Sequence, residues 1–171
     1  MLSFVTWTAA LVIGVSGGGR LLTAEAILES PTRHVRTTDR TIRPLLRQGF
    51  EQSPTFAALM RRLAVSDVLV YIEEVPRLSG ALDGRMVIQP PAHGFRYLRI
   101  QIVRRGCTAD TIALLGHELR HAVEVAESLE VTDAQSMAAF YQRIGTAYGN
   151  DMFDTLEARE IGRRVRRELL A

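Results

Sequence analysis

The chain contains no lysine: all 21 of its basic residues are arginine. Guanidinium groups stay protonated near pH 9, so the pI reaches about 9.1 although the net charge is only +2. That even balance, 21 basic against 19 acidic residues, excludes a strongly nucleic-acid-binding chain, and no nucleic-acid partner is expected. Cysteine is nearly absent. Cys107 is the only one, which excludes an intrachain disulfide and any cage of cysteine thiolates around a metal. A metal site in this chain must therefore use histidines and carboxylates. Long apolar runs are lacking as well. The most apolar stretch, residues 2–15, has 14 residues where a membrane-spanning helix needs about 20. What remains is ordinary globular material, 47% hydrophobic and 23% charged, in a length of 171 residues that suits one domain.

The N-terminal run LSFVTWTAALVIGV is followed by Gly17-Gly18-Gly19 and then by Ala24-Glu25-Ala26, a small-x-small pattern that a signal peptidase accepts. Residues 1–26 are therefore expected to be a secretory signal peptide or an N-terminal membrane anchor. The domain proper is expected over 27–171, in a secreted or periplasmic protein that is a monomer.

Residues 27–49 are rich in Arg and Thr and read as irregular or partly helical. Ser53-Pro54 is a helix start, and Phe56, Leu59, Met60 and Leu63 repeat at helical spacing, so a helix is predicted over 54–64. The β-branched and aromatic segments 67–75, 85–89 and 95–103 predict three strands. Pro90, Pro91 and Gly94 separate the last two and suggest a hairpin or meander. In the third strand Arg96, Leu98, Ile100 and Ile102 share one face. Helical patterning then runs to the end. A helix over 109–128 is expected with Thr108 as cap and Asp110 in its first turn. A second is expected over 133–144, with Thr132 or Asp133 as cap and Gly145 as stop, and a third over 152–170. The fold class expected is α+β: a short three-stranded sheet, then a long helix and two further C-terminal helices.

The long helix carries His117-Glu118-Leu119-Arg120-His121, an HExxH pattern. Histidines four residues apart project from one helical face, so both imidazoles can reach one Zn²⁺ at about 2.0–2.1 Å. Glu118 is one residue on, about 100° around the helix, beside a metal and not on it. There it can act as general base towards a water whose pKa the metal lowers to about 7. Ile112, Leu114, Leu115, Leu119 and Val123 give the same helix apolar positions for packing.

This segment resembles the zincin metallopeptidases, and more closely the minimal gluzincin type of small bacterial zinc-protease domains. The metzincin variant is excluded, because it needs Gly and then His three and six residues after the second histidine, where Glu124 and Glu127 stand here. The resemblance implies a third metal ligand, a carboxylate on a downstream helix. The candidate segment is Phe153-Asp154-Thr155-Leu156-Glu157-Ala158-Arg159-Glu160-Ile161-Gly162. Within it Glu157 and Asp154 compete. They are three apart and share a face of the expected helix. Glu157 is preferred, because it directly precedes Ala158 as the ligand glutamate does in some gluzincins. The resemblance also implies an oxyanion-stabilising side chain, for which Tyr148 and Tyr141 are candidates, and a sheet strand beside the cleft along which an extended substrate pairs.

Glu124 and Asp110 can each lie on the metal face and accept the second N–H of a ligand histidine. His93 lies in a turn, and His34 carries no signal. Arg163, Arg164, Arg166 and Arg167 read as a solvated basic run that suits a helix C-terminus. The expected function is a zinc-dependent metallohydrolase, a peptidase acting on peptide or protein substrates with Glu118 as general base. The alternative is an inactive zincin-like binding or structural domain that keeps its metal.

Overall fold

The computed structural model describes residues 33–79, 82–147 and 153–171; the signal or anchor expected over residues 1–26 lies outside them. Within them the fold is α+β, with five helices and a small mixed sheet. In chain order the elements are β1 (Val35–Arg36), α1 (Ile42–Gln52), α2 (Pro54–Ala64), β2 (Val68–Glu74), β3 (Gly84–Ala92), β4 (Phe95–Ile102), α3 (Thr108–Glu127), α4 (Ala134–Ile144), β5 (Thr146–Ala147), β6 (Phe153–Asp154) and α5 (Leu156–Leu170). No helix among the described residues is long and apolar enough to cross a membrane.

The three predicted strands form, and the two-residue β1 makes a fourth, in the order β1-β2-β4-β3. β1 and β2 are parallel, β2 and β4 are parallel, and β3 runs antiparallel to β4. The β3–β4 link is the expected hairpin. His93 and Gly94 make its tip with φ of 52° and 78°, the left-handed pair that a tight two-residue hairpin turn requires. Pro90 and Pro91 do not end β3, as the pattern suggested. β3 is an edge strand, where an outward-facing missing N–H costs no ladder bond, and the register shifts between Gln89 and Ala92, so neither proline has a partner residue in β4.

One face of the sheet is apolar. Val68, Val70 and Ile72 of β2 stand beside Leu98, Ile100 and Ile102 of β4, and all six are buried. α1, α2 and α3 pack against the sheet's strands, and their Leu46, Phe56, Met60, Leu63, Ile112, Leu115 and Leu119 join the strand residues in one core. Ser53 caps α2 by accepting from the Phe56 N–H. α3 begins one residue earlier than expected, with Cys107 as cap. Asp110 accepts from the Cys107 N–H at 3.3 Å, which closes the first turn. Asp133 caps α4 by accepting from the Ser136 N–H at 2.8 Å.

Arg96 is the exception on the apolar face of β4, being a buried cation among aliphatic neighbours. Its guanidinium donates to both carboxylate oxygens of Asp67, at 2.8 and 2.7 Å. It also donates to the carbonyls of Val125, Ser128 and Val131, at 2.8, 2.8 and 2.9 Å. Those carbonyls belong to the end of α3 and the turn after it, where a helix leaves its last carbonyls without partners. One side chain therefore satisfies the end of the long helix and fastens it to the sheet.

Replacing Arg96 with Met keeps bulk and removes the guanidinium donors from Asp67 and from the carbonyls of Val125, Ser128 and Val131, which costs about 3 kcal/mol. Urea unfolding measures the loss. The hydrogen bonds from Arg96 also hold the Asp67 carboxyl below its usual 3.8. A depressed folded pKa contributes stability above the unfolded value that is lost as pH falls through the folded value. Acid destabilisation below about pH 4 should therefore be shallower in Arg96→Met than in the parent chain.

Candidate metal centre

α3 presents His117 and His121 on one face, and the two rings meet edge to face with centroids 4.9 Å apart. α5 crosses this helix closely because two glycines permit it. A Cβ on Gly116 would stand 2.9 Å from Val165 Cγ2, and a Cβ on Gly162 would stand 3.3 Å from His117 Cβ. The close crossing brings the segment before α5 up to the histidines.

That segment is not helical, contrary to the helix expected over 152–170. Phe153 and Asp154 form β6 against β5, and α5 starts at Leu156. The cause is Thr155, whose hydroxyl accepts from the Ala158 N–H at 3.1 Å and caps the helix. Asp154 and Glu157 therefore do not share a helical face. Glu157, in the first turn, is largely exposed and accepts from Arg120 Nη2 at 2.7 Å. The structure brings Asp154, and not the preferred Glu157, to the histidine pair. The local signal for the start of α5, a Thr three residues before Ala158, was present in the sequence.

Asp154 Oδ1 lies 3.4 Å from His117 Nε2 and 3.4 Å from His121 Nε2. It is buried and has no hydrogen-bond partner, an arrangement that ordinarily costs free energy. Ligands at 2.0–2.1 Å from the centre of a tetrahedron are about 3.3–3.4 Å from one another, and the two Asp154–histidine distances match that value. His117, His121 and Asp154 thus offer one oxygen and two nitrogens, all within 4.8 Å of one another, a group that could hold a metal ion.

The surroundings aim these donors. His121 Nδ1 donates to Glu124 Oε2 at 2.8 Å, which leaves Nε2 facing Asp154. Glu124, buried, accepts at its other oxygen from Thr155 Oγ1 at 2.8 Å. Of the two carboxylates weighed for this role, Glu124 fills it. Asp110 lies elsewhere, paired with Arg166 at 2.6 Å. Asp154 Oδ2 accepts from Arg159 Nε at 2.8 Å, which directs Oδ1 towards the histidines. The Tyr141 hydroxyl donates to the His121 carbonyl at 3.1 Å, and its ring meets the His121 ring edge to face at 5.4 Å. Tyr141 therefore supports His121, and burial raises its phenol further above the usual value. Tyr148 lies outside the described residues.

The titrating groups are strongly perturbed. Burial pushes the Glu118 carboxyl up to about 7, against the favourable charge of His121. Burial and the charge of His121 lower His117 to about 4. Burial alone would lower His121, but the nearby carboxylates of Asp154 and Glu124 outweigh it and raise the group to about 9. Burial alone would raise Asp154, but His121, His117 and Arg159 draw it down to about 2. Opposed shifts of this size, packed into one cleft, are typical of functional sites.

The cleft has a volume of about 720 Å³. His117, Glu118, His121 and Asp154 line it, with Leu114, Met137 and Phe153 as apolar walls. Its other side is the start of β3, residues 84–87, so β3 is the strand that borders the cleft. That strand pairs only with β4, which leaves its outer edge without a strand partner among the described residues. Gly84 is a site residue that pattern reading missed. A Cβ there would stand 2.1 Å from Glu118 Oε1, so only glycine lets the strand pass the buried carboxylate in this position. His34 and His93 are remote from the cluster: His34 Nδ1 is 3.0 Å from the Val68 carbonyl, and His93 is at the hairpin tip. Comparisons with protein-family models, with curated proteins and with solved structures return no match.

The geometry separates the two carboxylates experimentally. The full chain should take up one zinc per molecule after dialysis, measured by elemental analysis. Asp154→Asn should weaken zinc binding by tenfold or more, as His117→Ala and His121→Ala should. Glu157→Ala should leave it within about twofold of the parent chain.

Proposed function

We propose that the protein is a zinc-dependent metallohydrolase of the zincin type, acting on peptide bonds. The observation that carries this reading is the orphaned Asp154 Oδ1 at 3.4 Å from each of two histidine Nε2 atoms, with buried Glu118 beside them in an open cleft. His117, His121 and Asp154 would hold the ion. Zinc, when bound, would supply Lewis-acid chemistry to an attacking water and to the substrate carbonyl.

The protein's own groups do the rest. Glu118 is the proton carrier. Burial raises the Glu118 carboxyl, which suits a group that takes a proton from the attacking water and gives it to the departing amine. Its burial at the wall of the cleft keeps competing water away. The unpaired edge of β3 offers backbone donors and acceptors along Gly84–Val87, to which an extended peptide can add as a further strand. Such pairing holds the scissile bond over the metal-binding face of α3. Arg159 and Glu124 keep Asp154 and His121 aimed, which confines their part to positioning. The signal-like N-terminus supports secretion or export to the periplasm as the setting for this activity.

Glu118→Gln should keep one zinc per chain and reduce peptide hydrolysis by at least a hundredfold, read with a quenched peptide library and elemental analysis on the same sample. Hydrolysis equal to the parent would refute the assignment of the base. Zinc binding with no hydrolysis in the parent chain would favour a zincin-like binding domain instead. Gly84→Ala should also keep zinc. It should lower the hydrolysis rate by tenfold or more, because its methyl group displaces the Glu118 carboxylate.

A further inference from the structure

A second concavity, of about 700 Å³, lies between β1 and α1, away from the metal-binding cluster. Its floor is apolar, made by buried Val35 and Leu46 with half-buried Phe50. Four arginines, Arg36, Arg40, Arg43 and Arg47, line the same space, and no acidic residue does. Arg43 and Arg47 are one turn apart on α1 and so share a face. Arg36 is held from β1, where it donates to the Tyr71 hydroxyl at 3.0 Å and to the Arg33 carbonyl at 2.6 Å.

Four of the described arginines that make no ion pair gather in this concavity, whereas the basic run of α5 is largely paired. In the basic run of α5, Arg163 and Arg167 pair with Glu160, and Arg166 pairs with Asp110. None of the four arginines of the concavity makes an ion pair among the described residues. Like charges lining one space repel one another, and an anion among them relieves that repulsion. A single carboxylate would answer one charge in four, whereas a phosphate ester brings more charge and accepts guanidinium forks in pairs. The apolar floor adds a second requirement, a hydrocarbon portion attached to the anion. The volume is in the range of small-molecule sites, and its concave form suits a ligand that enters it.

We propose that this concavity is a binding site for a phosphate ester carrying an apolar group, such as the head of an acidic phospholipid or a soluble alkyl phosphate. The guanidiniums of Arg36, Arg40, Arg43 and Arg47 hold the phosphate, and Val35, Leu46 and Phe50 receive the hydrocarbon. The site is independent of the hydrolytic reading.

Calorimetric titration of the full chain with monomeric dihexanoyl phosphatidic acid tests this. The expected result is one molecule bound per chain, at least tenfold more tightly than inorganic phosphate or dihexanoyl phosphatidylcholine. Arg43→Glu with Arg47→Glu should weaken it by tenfold or more, while far-ultraviolet circular dichroism and zinc content stay unchanged. Arg164→Glu, a reversal at an exposed position on α5, should alter it by less than twofold. Binding to vesicles containing phosphatidic acid that also requires Arg43 and Arg47 identifies a bilayer as the source of the ligand. Binding of the monomer alone identifies a soluble ester. Equal affinity for inorganic phosphate and the lipid phosphate, equal affinity for the phosphatidylcholine, or undiminished binding by the double variant overturns the proposal.

Discussion

The buried carboxylate of Glu124 ties the two halves of the histidine–aspartate cluster together. One oxygen accepts from His121 Nδ1 and the other from Thr155 Oγ1, each at 2.8 Å. The first bond sets the orientation of a histidine on α3. The second holds the residue that caps α5, and Asp154 is the residue immediately before that cap. A single side chain thus couples a histidine on one helix to the chain position of the aspartate preceding another. Its ionised form is favoured in spite of burial, because His121, Thr155 and nearby Arg120 stabilise the charge. Buried charge of this kind is costly unless every partner is in place, so the network tolerates little rearrangement.

Arg120 shows the same economy on the neighbouring turn. It is buried, reaches Glu157 at 2.7 Å and Glu127 at 3.4 Å, and lies 3.9 Å from Glu124. The ion pair with Glu157 crosses from α3 to α5 and explains why that glutamate is turned from the histidines. At the far end of α5, Glu168 accepts from Ser53 Oγ at 2.5 Å, from Thr55 Oγ1 at 2.6 Å and from the Thr55 N–H at 3.1 Å, at the start of α2. Carboxylate at a helix N-terminus is favourable, and here it anchors the helix that follows Asp154. The cleft owes its form to helix contacts at both ends of α5 and to the close approach that Gly116 and Gly162 allow.

Local pattern made a large part of this legible. The helix over 54–64 was readable from Ser53-Pro54 and its apolar spacing, because capping and periodicity act within a few residues. The strand faces were readable from alternation, including the placing of Arg96 with Leu98, Ile100 and Ile102. The boundary of the last helix was not read correctly. Its acidic and apolar spacing continues through Asp154, and the capping hydroxyl of Thr155 overrides that spacing. β1 escaped notice because two residues carry no periodicity; its pairing with β2 defines it. The role of Arg96 was equally hidden, since its partners lie about 30 residues away along the chain.

The sequence by itself determined the chemistry available: two histidines on one helical face, a glutamate beside them, a single cysteine that cannot build a thiolate cage, and an α+β order of elements. These follow from helix geometry and from composition, which need no knowledge of distant contacts. The tertiary structure alone decided which carboxylate meets the histidines. It also placed Gly84 against Glu118 and gathered four arginines around an apolar floor. Each of those results depends on how separate elements pack, and packing depends on shape, close approach and charge between residues that are remote in the chain.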